Sequence, residues 1–346
     1  QAWAQSGKLF NTDNQLSSNL ATQVFQDKSG FIWIATRNGL NTYDGYHITV
    51  MKKDMSNFLG LKSNYINSIA QDDKGHILLG TNNSLLEFTG SEFHKIPMLD
   101  SKGEELATYV KQVYPLKNKD VAVATSGYGI MIKKKDAQEC HAMKGEVEKL
   151  KYIHKLLEDK RGRLWIITED GKLYRKETNG RVTSHFVGTE GVDAQDIQQD
   201  VLGNLYLASK NQGVHLLRAG SNVFTRISSI GNLPIETIYI SRNNKLYIGC
   251  DGLGIYVYDP QTGFLQDNPL FSRLVNLAKS KVTSIIEDNQ GNIWVSMLQK
   301  GVFMQSNIQN DFNYMGFRLG SRNVIGENCV TSLSINQGNQ VWVGTD

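Results

Sequence analysis

One short pattern returns along the whole chain at a near-constant spacing, and nothing else in the sequence constrains the fold as tightly. It is a turn residue followed by an alternating strand whose fourth residue is bulky. The first copy reads Gly30-Phe31-Ile32-Trp33-Ile34-Ala35-Thr36, and the later ones are centred on Leu78, Ala122, Trp165, Tyr206, Tyr247, Trp294 and Trp342. Successive centres are 45, 44, 43, 41, 41, 47 and 48 residues apart. Four of the five tryptophans occupy this one register position, so it carries a packing role that each repeat needs.

The flanks repeat too. Upstream lies a short apolar strand ending in an acid: Val24-Phe25-Gln26-Asp27, Ile69-Ala70-Gln71-Asp72, Leu156-Leu157-Glu158-Asp159, Ile197-Gln198-Gln199-Asp200 and Ile285-Ile286-Glu287-Asp288. In these copies a Gly follows the Asp by three residues, the chemistry of a hairpin loop: Asp bonds its own turn and Gly takes a positive φ. Downstream comes a third strand, as at Gly39-Leu40-Asn41-Thr42-Tyr43 and Gly213-Val214-His215-Leu216-Leu217, then a weaker fourth, as at Phe224-Thr225-Arg226-Ile227. Four hairpin-linked strands in forty-odd residues are the signature of a propeller blade. A lone blade cannot bury both faces, and a ring of blades buries the Trp layer between neighbours. An open β-solenoid has shorter coils, and sandwiches do not repeat in sequence. Abundant Gly (32) with scarce Pro (5) suits many tight turns between regular strands. Residues 143–160, rich in Lys, Glu and Leu, favour helix by propensity. Their second half aligns with the first strand of blade four, and the repeat decides for strand.

The expected fold is therefore all-β: a seven-bladed β-propeller of four-stranded blades over residues 1–320, in which residues 8–13 supply a closing strand. Residues 321–346 begin an eighth copy that stops after its second strand. They form either the start of a second propeller, the preferred reading, or an additional blade of an eight-bladed ring. Leu16-Ser17-Ser18-Asn19 ahead of blade one is echoed by Leu61-Lys62-Ser63-Asn64 and loosely by Ile325-Gly326-Glu327-Asn328.

A formal net charge of +3, from 37 basic and 34 acidic residues, does not provide the strongly basic face of a nucleic-acid binder. Cys140, Cys250 and Cys329 lie far apart with no CxxC pair and read as small buried hydrophobes. No run of about 18 apolar residues occurs, so no spanning segment is expected within the chain. The opening Gln1-Ala2-Trp3-Ala4-Gln5 contains an Ala-x-Ala step of the kind signal peptidase leaves.

The run Val24-Phe25-Gln26-Asp27-Lys28-Ser29-Gly30-Phe31-Ile32-Trp33-Ile34-Ala35-Thr36-Arg37-Asn38-Gly39-Leu40-Asn41-Thr42-Tyr43-Asp44-Gly45-Tyr46, with Leu16-Ser17-Ser18-Asn19 before it, resembles the two-component regulator propeller repeat. The likeness is strong in blades one, two, four, five and seven. It is weak in blade three, where Lys119 replaces Gly and Ala122 replaces Trp. The resemblance implies the periplasmic sensor region of a hybrid two-component histidine kinase/response regulator of Bacteroidetes, an ectodomain of an inner-membrane protein. It implies an oligosaccharide from a complex glycan as ligand, and signalling to a kinase elsewhere in the receptor. The adjoining second propeller and immunoglobulin-like domain of the same receptor are the implied partners, with a homodimer as a further one.

No catalytic constellation is found, and this domain is expected not to be an enzyme. His47, His76, His94, His141, His154, His185 and His215 show no HxH or HxxxH spacing, so no metal site is expected. Asp72-Asp73-Lys74-Gly75 and Asp288-Asn289-Gln290-Gly291 faintly suggest calcium loops but fit hairpin turns better. No cofactor motif occurs. In a propeller, the loops leading into the inner strands and those joining second to third strands share one face. Those loops give Arg37, Asn38, Asn64, Tyr65, Asn82, Tyr128, Lys210, Asn211, Asp251 and Lys300 as candidate ligand-binding residues. Amides bond sugar hydroxyls, Tyr stacks on a sugar face, and Arg or Lys pairs with sulfate or carboxylate. A protein-interaction scaffold is the second functional reading. A propeller lyase or hydrolase is the third, and it would use Asp170 and Asp251, the acids to watch on that face.

Overall fold

The computed structural model describes residues 7–53, 60–270, 275–307, 329–336, 338 and 340–346. Residues 7–307 form one compact unit, a propeller of seven blades, each an antiparallel sheet. Blade one runs outward from the channel through Ala21–Gln26, Ile32–Thr36, Gly39–Tyr43 and Ile48–Met51. The innermost strands of the next six are Ile66–Gln71, Val110–Pro115, Ile153–Glu158, Ala194–Gln199, Ile235–Ile240 and Val282–Glu287. Each packs beside the next, and the last packs beside the first. In blade three a short extra strand, Met98–Leu99, runs parallel to the outermost strand Cys140–Ala142. In blade seven the outermost strand is Gly7–Phe10, paired with Gly301–Gln305 from the far end of the ring.

Local chemistry explains the first hairpin of each blade. Asp27 Oδ1 accepts from the backbone N–H of Ser29 (2.9 Å) and Phe31 (3.0 Å). Asp72, Asp159, Asp200 and Asp288 repeat that pattern. The residue three after the Asp needs positive φ. Gly30, Gly75, Gly162, Gly203 and Gly291 supply it, and Lys119 (71°) and Asn244 (60°) adopt it in blades three and six. Asn tolerates that region, so Lys119 is where the fold imposes the turn against the side chain's preference. In blades one, four and seven the second carboxylate oxygen accepts the indole N–H of Trp33, Trp165 or Trp294 at 2.8, 2.9 and 2.7 Å. The tryptophan layer lies between blades, as the repeat requires. Trp33 of blade one packs with Ile69, Ile77 and Leu79 of blade two, and Trp165 of blade four with Ile197 and Leu207 of blade five.

Every innermost strand carries a register shift at its second residue, for instance between Ala21 and Gln23 and between Val282 and Ser284. The bulged side chain turns out of the ladder. Thr22, Asn67 and Thr283 use it to bond the first backbone carbonyl of the next blade's innermost strand. Residues 143–160 are a 3-10 turn, Glu146–Lys149, followed by the strand Ile153–Glu158. Cys140 and Cys250 are buried, and burial pushes both thiols up to about 12; Cys329 is exposed, unlike the expected buried hydrophobe.

The second unit holds the hairpin Val330–Ile335 with Val341–Thr345, which begins a further sheet. It bears the same register shift, between Val330 and Ser332. The proposed boundary at residues 320/321, the echo at residues 325–328 and the Ala-x-Ala step lie outside the described residues.

Candidate ligand-binding face

Because the strands of a blade alternate in direction, the start of the first strand, the end of the second and the start of the third lie on one face of the ring. The Asp hairpins lie on the other. The residue just before the innermost strand is Tyr65 in blade two, Tyr109 in blade three and Tyr152 in blade four. One recurring bond fixes the backbones of the latter two: Ser126 N–H donates to Tyr109 C=O and Glu169 N–H to Tyr152 C=O, both at 3.0 Å. Arg37 N–H donates likewise to Leu20 C=O in blade one.

The side chains meet at the mouth of the channel. The Tyr65 and Tyr109 rings stand edge to face with centroids 6.0 Å apart. The Arg37 guanidinium lies 5.4 Å from the Tyr65 ring centre, and the Lys111 ammonium 4.8 Å from that of Tyr109. Tyr109 donates its hydroxyl to Asn67 Oδ1 (2.8 Å), and Lys111 faces Glu169 at 3.5 Å. Burial, and then the neighbouring Tyr65 hydroxyl, raise the Tyr109 phenol well above its ordinary range, so it stays protonated as a donor. Tyr152 is 59% exposed and Tyr128 44% exposed on the same face. Two cations beside two aromatic faces, with an amide beneath, make a platform for a ligand with apolar faces and polar or anionic edges.

Of the ten residues drawn from the sequence, Arg37 and Tyr65 enter this cluster. Asn38 and Lys210 are exposed at loop tips. The other polar side chains are engaged within the chain. Asn64 Oδ1 accepts from Lys53 N–H, and Asn82 Oδ1 from the Ser63 hydroxyl. Asn211 clamps Asp193 N–H and Gly191 C=O. Lys300 donates to the carbonyls of Asn276 and Lys279 and to the Ser280 hydroxyl, each at 3.0 Å. Asp251 pairs with Lys281 at 2.8 Å, and Lys281 also holds Glu236. Loop position in the repeat does not identify Tyr109, Lys111 and Tyr152 as loop-tip polar residues. Their signal is register, since two of them occupy the place of Tyr65 in the following blades.

Asp170 pairs with Lys172 at 2.8 Å, and the hydrogen bonds from Lys172 and Thr168 hold its carboxyl below the usual range, the opposite of a general acid. His154, at the bulge of blade four, is pushed down to about 4 by burial and then by Lys155, so its imidazole is neutral. On the opposite face, one group among the described residues has the donor atoms to hold a metal. His76 Nδ1 stands 3.3 Å from Glu87 Oε1 and 3.6 Å from Asp72 Oδ2.

The two-component regulator propeller family matches residues 15–38, 60–83 and 276–299, each segment running from ahead of an innermost strand to just past the second strand. No curated protein matches the sequence. Among solved structures, the chain is similar to the extracellular domain of BT3049 of B. thetaiotaomicron, described as a hybrid two-component system. Identity is 22%, coverage 98% of this chain and 47% of that one, and the TM-score 0.77. The extracellular domain of BT4673 from the same organism gives 16%, 97%, 46% and 0.73. Virginiamycin B lyase from Staphylococcus aureus gives 13%, 88%, 99% and 0.66. The chain thus spans under half the length of the first two, and at these identities the likeness is one of fold. The fold is thus shared with these structures, and blades one, two and seven carry the pattern of the two-component regulator propeller family.

Proposed function

We propose that the ring is the ligand-sensing extracytoplasmic module of a two-component signalling receptor, and that it takes an oligosaccharide on the Tyr65–Tyr109 platform. The repeat family and the likeness to extracellular domains of two-component systems support the sensor role. The observation that carries the ligand class is the cluster itself: two tyrosine faces for sugar rings, Asn67 below, and Arg37 and Lys111 placed for a sulfate or carboxylate edge. Such a module works in the periplasm as the ectodomain of an inner-membrane receptor. The second propeller and immunoglobulin-like domain of that receptor carry the signal onward. Ligand then acts by binding one arrangement of those parts better than another, since equal affinity for both would shift nothing.

Calorimetric titration against a panel of neutral and anionic oligosaccharides tests this, with chromatography of the mixture to detect turnover. One class should bind at micromolar affinity and be recovered intact. Arg37→Ala and Tyr109→Ala should each weaken it tenfold or more, about 1.4 kcal/mol. Binding that is unchanged in both variants moves the site elsewhere. An unbound panel rejects the ligand class, and cleaved sugar rejects the sensor reading in favour of an enzyme.

A further inference from the structure

We propose that Asp72, His76 and Glu87 form a binding site for a divalent transition-metal ion, with zinc the best fit, on the face of the ring opposite the tyrosine platform. The spacing suits it. Zinc bonds to nitrogen and carboxylate oxygen are about 2.0–2.2 Å, which sets neighbouring tetrahedral ligands roughly 3.3–3.6 Å apart. Here His76 Nδ1 lies 3.3 Å from Glu87 Oε1 and 3.6 Å from Asp72 Oδ2, and all three donor atoms fall within 4.8 Å of one another. One imidazole and two carboxylates are donors that zinc accepts. His76, a third exposed, leaves a side open for water as a further ligand.

The comparison between blades supplies the second observation. In blades one, four and seven the oxygen equivalent to Asp72 Oδ2 accepts an indole N–H. In blades four, five and seven it also accepts from the side chain four residues after the Asp: Arg163, Asn204 or Asn292, at 2.7, 2.7 and 2.8 Å. Blade two has Leu78 in place of the tryptophan and His76 in place of that donor. At 3.6 Å His76 is beyond hydrogen-bond reach. Among the described residues, Asp72 Oδ2 therefore has no donor, on a side chain only 4% exposed. Its partner oxygen is fixed by two backbone N–H groups, which aims the bare one at the imidazole. Glu87 approaches the same ring nitrogen from the third strand. A single Nδ1–H can serve one carboxylate and leaves the other without that donor. A dication between the three satisfies them together. It would join the hairpin of blade two to its third strand, whereas blades one, four and seven tie the hairpin to the second strand by the Trp–Asp bond.

The test is titration of the tag-free chain with Zn²⁺ alone by calorimetry, with Co²⁺ absorption reporting tetrahedral geometry. One equivalent should bind. Glu87→Gln and His76→Asn should each weaken binding tenfold or more. His76→Asn installs the residue that blades five and seven carry at this position, so the metal-free melting temperature should hold or rise. Zinc should raise the melting temperature of the wild type and not of His76→Asn. Absence of zinc uptake by the wild type, or equal uptake by both variants, overturns the proposal.

Discussion

The Asp that ends an innermost strand does more than shape a turn. Asp159 accepts from the backbone N–H of Arg161 and Arg163 through one oxygen, and from Trp165 and the Arg163 guanidinium through the other. Burial alone raises its carboxyl. The bonds from Trp165 and Arg163 outweigh burial and hold it below the ordinary 3.8. At Asp120 burial is outweighed in the same way by Lys134 and the Lys135 N–H. A lowered folded-state value means that the unfolded chain takes up the proton first. The stabilisation is therefore complete above the unfolded pKa of about 3.9 and drains away as pH falls through the lower folded value. Denaturant titrations below about pH 4 should show the wild type losing stability faster than Asp159→Asn, which starts lower and falls less. Equal slopes would remove Asp159 from the acid sensitivity. Trp165→Phe deletes the N–H and shrinks the buried indole to a phenyl ring. The buried acceptor that loses its donor should cost about 1–3 kcal/mol at neutral pH, and the packing lost with the smaller ring adds to that.

Strands of neighbouring blades fit because the second strand keeps a small residue where the next innermost strand begins. Ala35, Gly80, Ala124, Ala208, Gly249 and Ser296 hold that place, with Ile167 in blade four. A Cβ at Gly80 would stand 2.5 Å from Val110 Cγ1, and one at Gly249 2.6 Å from Val282 Cγ1. Gly80→Val should thus destabilise by about 1–3 kcal/mol through overpacking, read as a lower urea midpoint with an unchanged m-value. Pairing it with Val110→Ala should recover part of that loss, and simply additive costs would show that the two do not meet. The hairpins are legible in the sequence because Asp27, Gly30 and Trp33 each leave a chemical mark at fixed spacing. Blade three is legible by spacing alone, since Lys119 and Ala122 carry neither mark and the ring supplies the constraint. The binding face is less legible. Arg37 and Tyr65 follow from loop position, and Tyr109 from register. The engagement of Asn64, Asn211 and Lys300 with backbone atoms depends on loop paths that no periodicity encodes.

The ring as a whole depends on a seam between residues nearly three hundred positions apart. Neighbouring blades elsewhere are latched by a backbone N–H to the side chain that precedes the next turn: Lys28 to Gln71, Lys117 to Glu158, Lys160 to Gln199 and Arg242 to Glu287. The seam uses the same latch, Asn289 N–H to Gln26 Oε1 at 2.7 Å, with Thr283 bonding Ala21 C=O at 3.0 Å. Closing so long a loop adds little beyond a short one, because the entropy grows only with the logarithm of length. The seam needs no exceptional contact, but its outermost strand comes from the other end of the chain. Phe10 of that strand is fully buried, stacked on Trp294 at 5.3 Å and edge-on to Tyr43 at 4.9 Å. Lys8 lies over the Tyr43 ring at 4.7 Å. Phe10→Ala should therefore cost about 3–5 kcal/mol. Deleting residues 1–10, which bares the edge of Gly301–Gln305 as well, should cost more, with unfolding still a single transition by tryptophan fluorescence and by far-ultraviolet dichroism. If the deletion shifts the midpoint less than Phe10→Ala, or the two probes part, the blades behave as an open array with only nearest-neighbour coupling, and the seam contributes no more than any other joint.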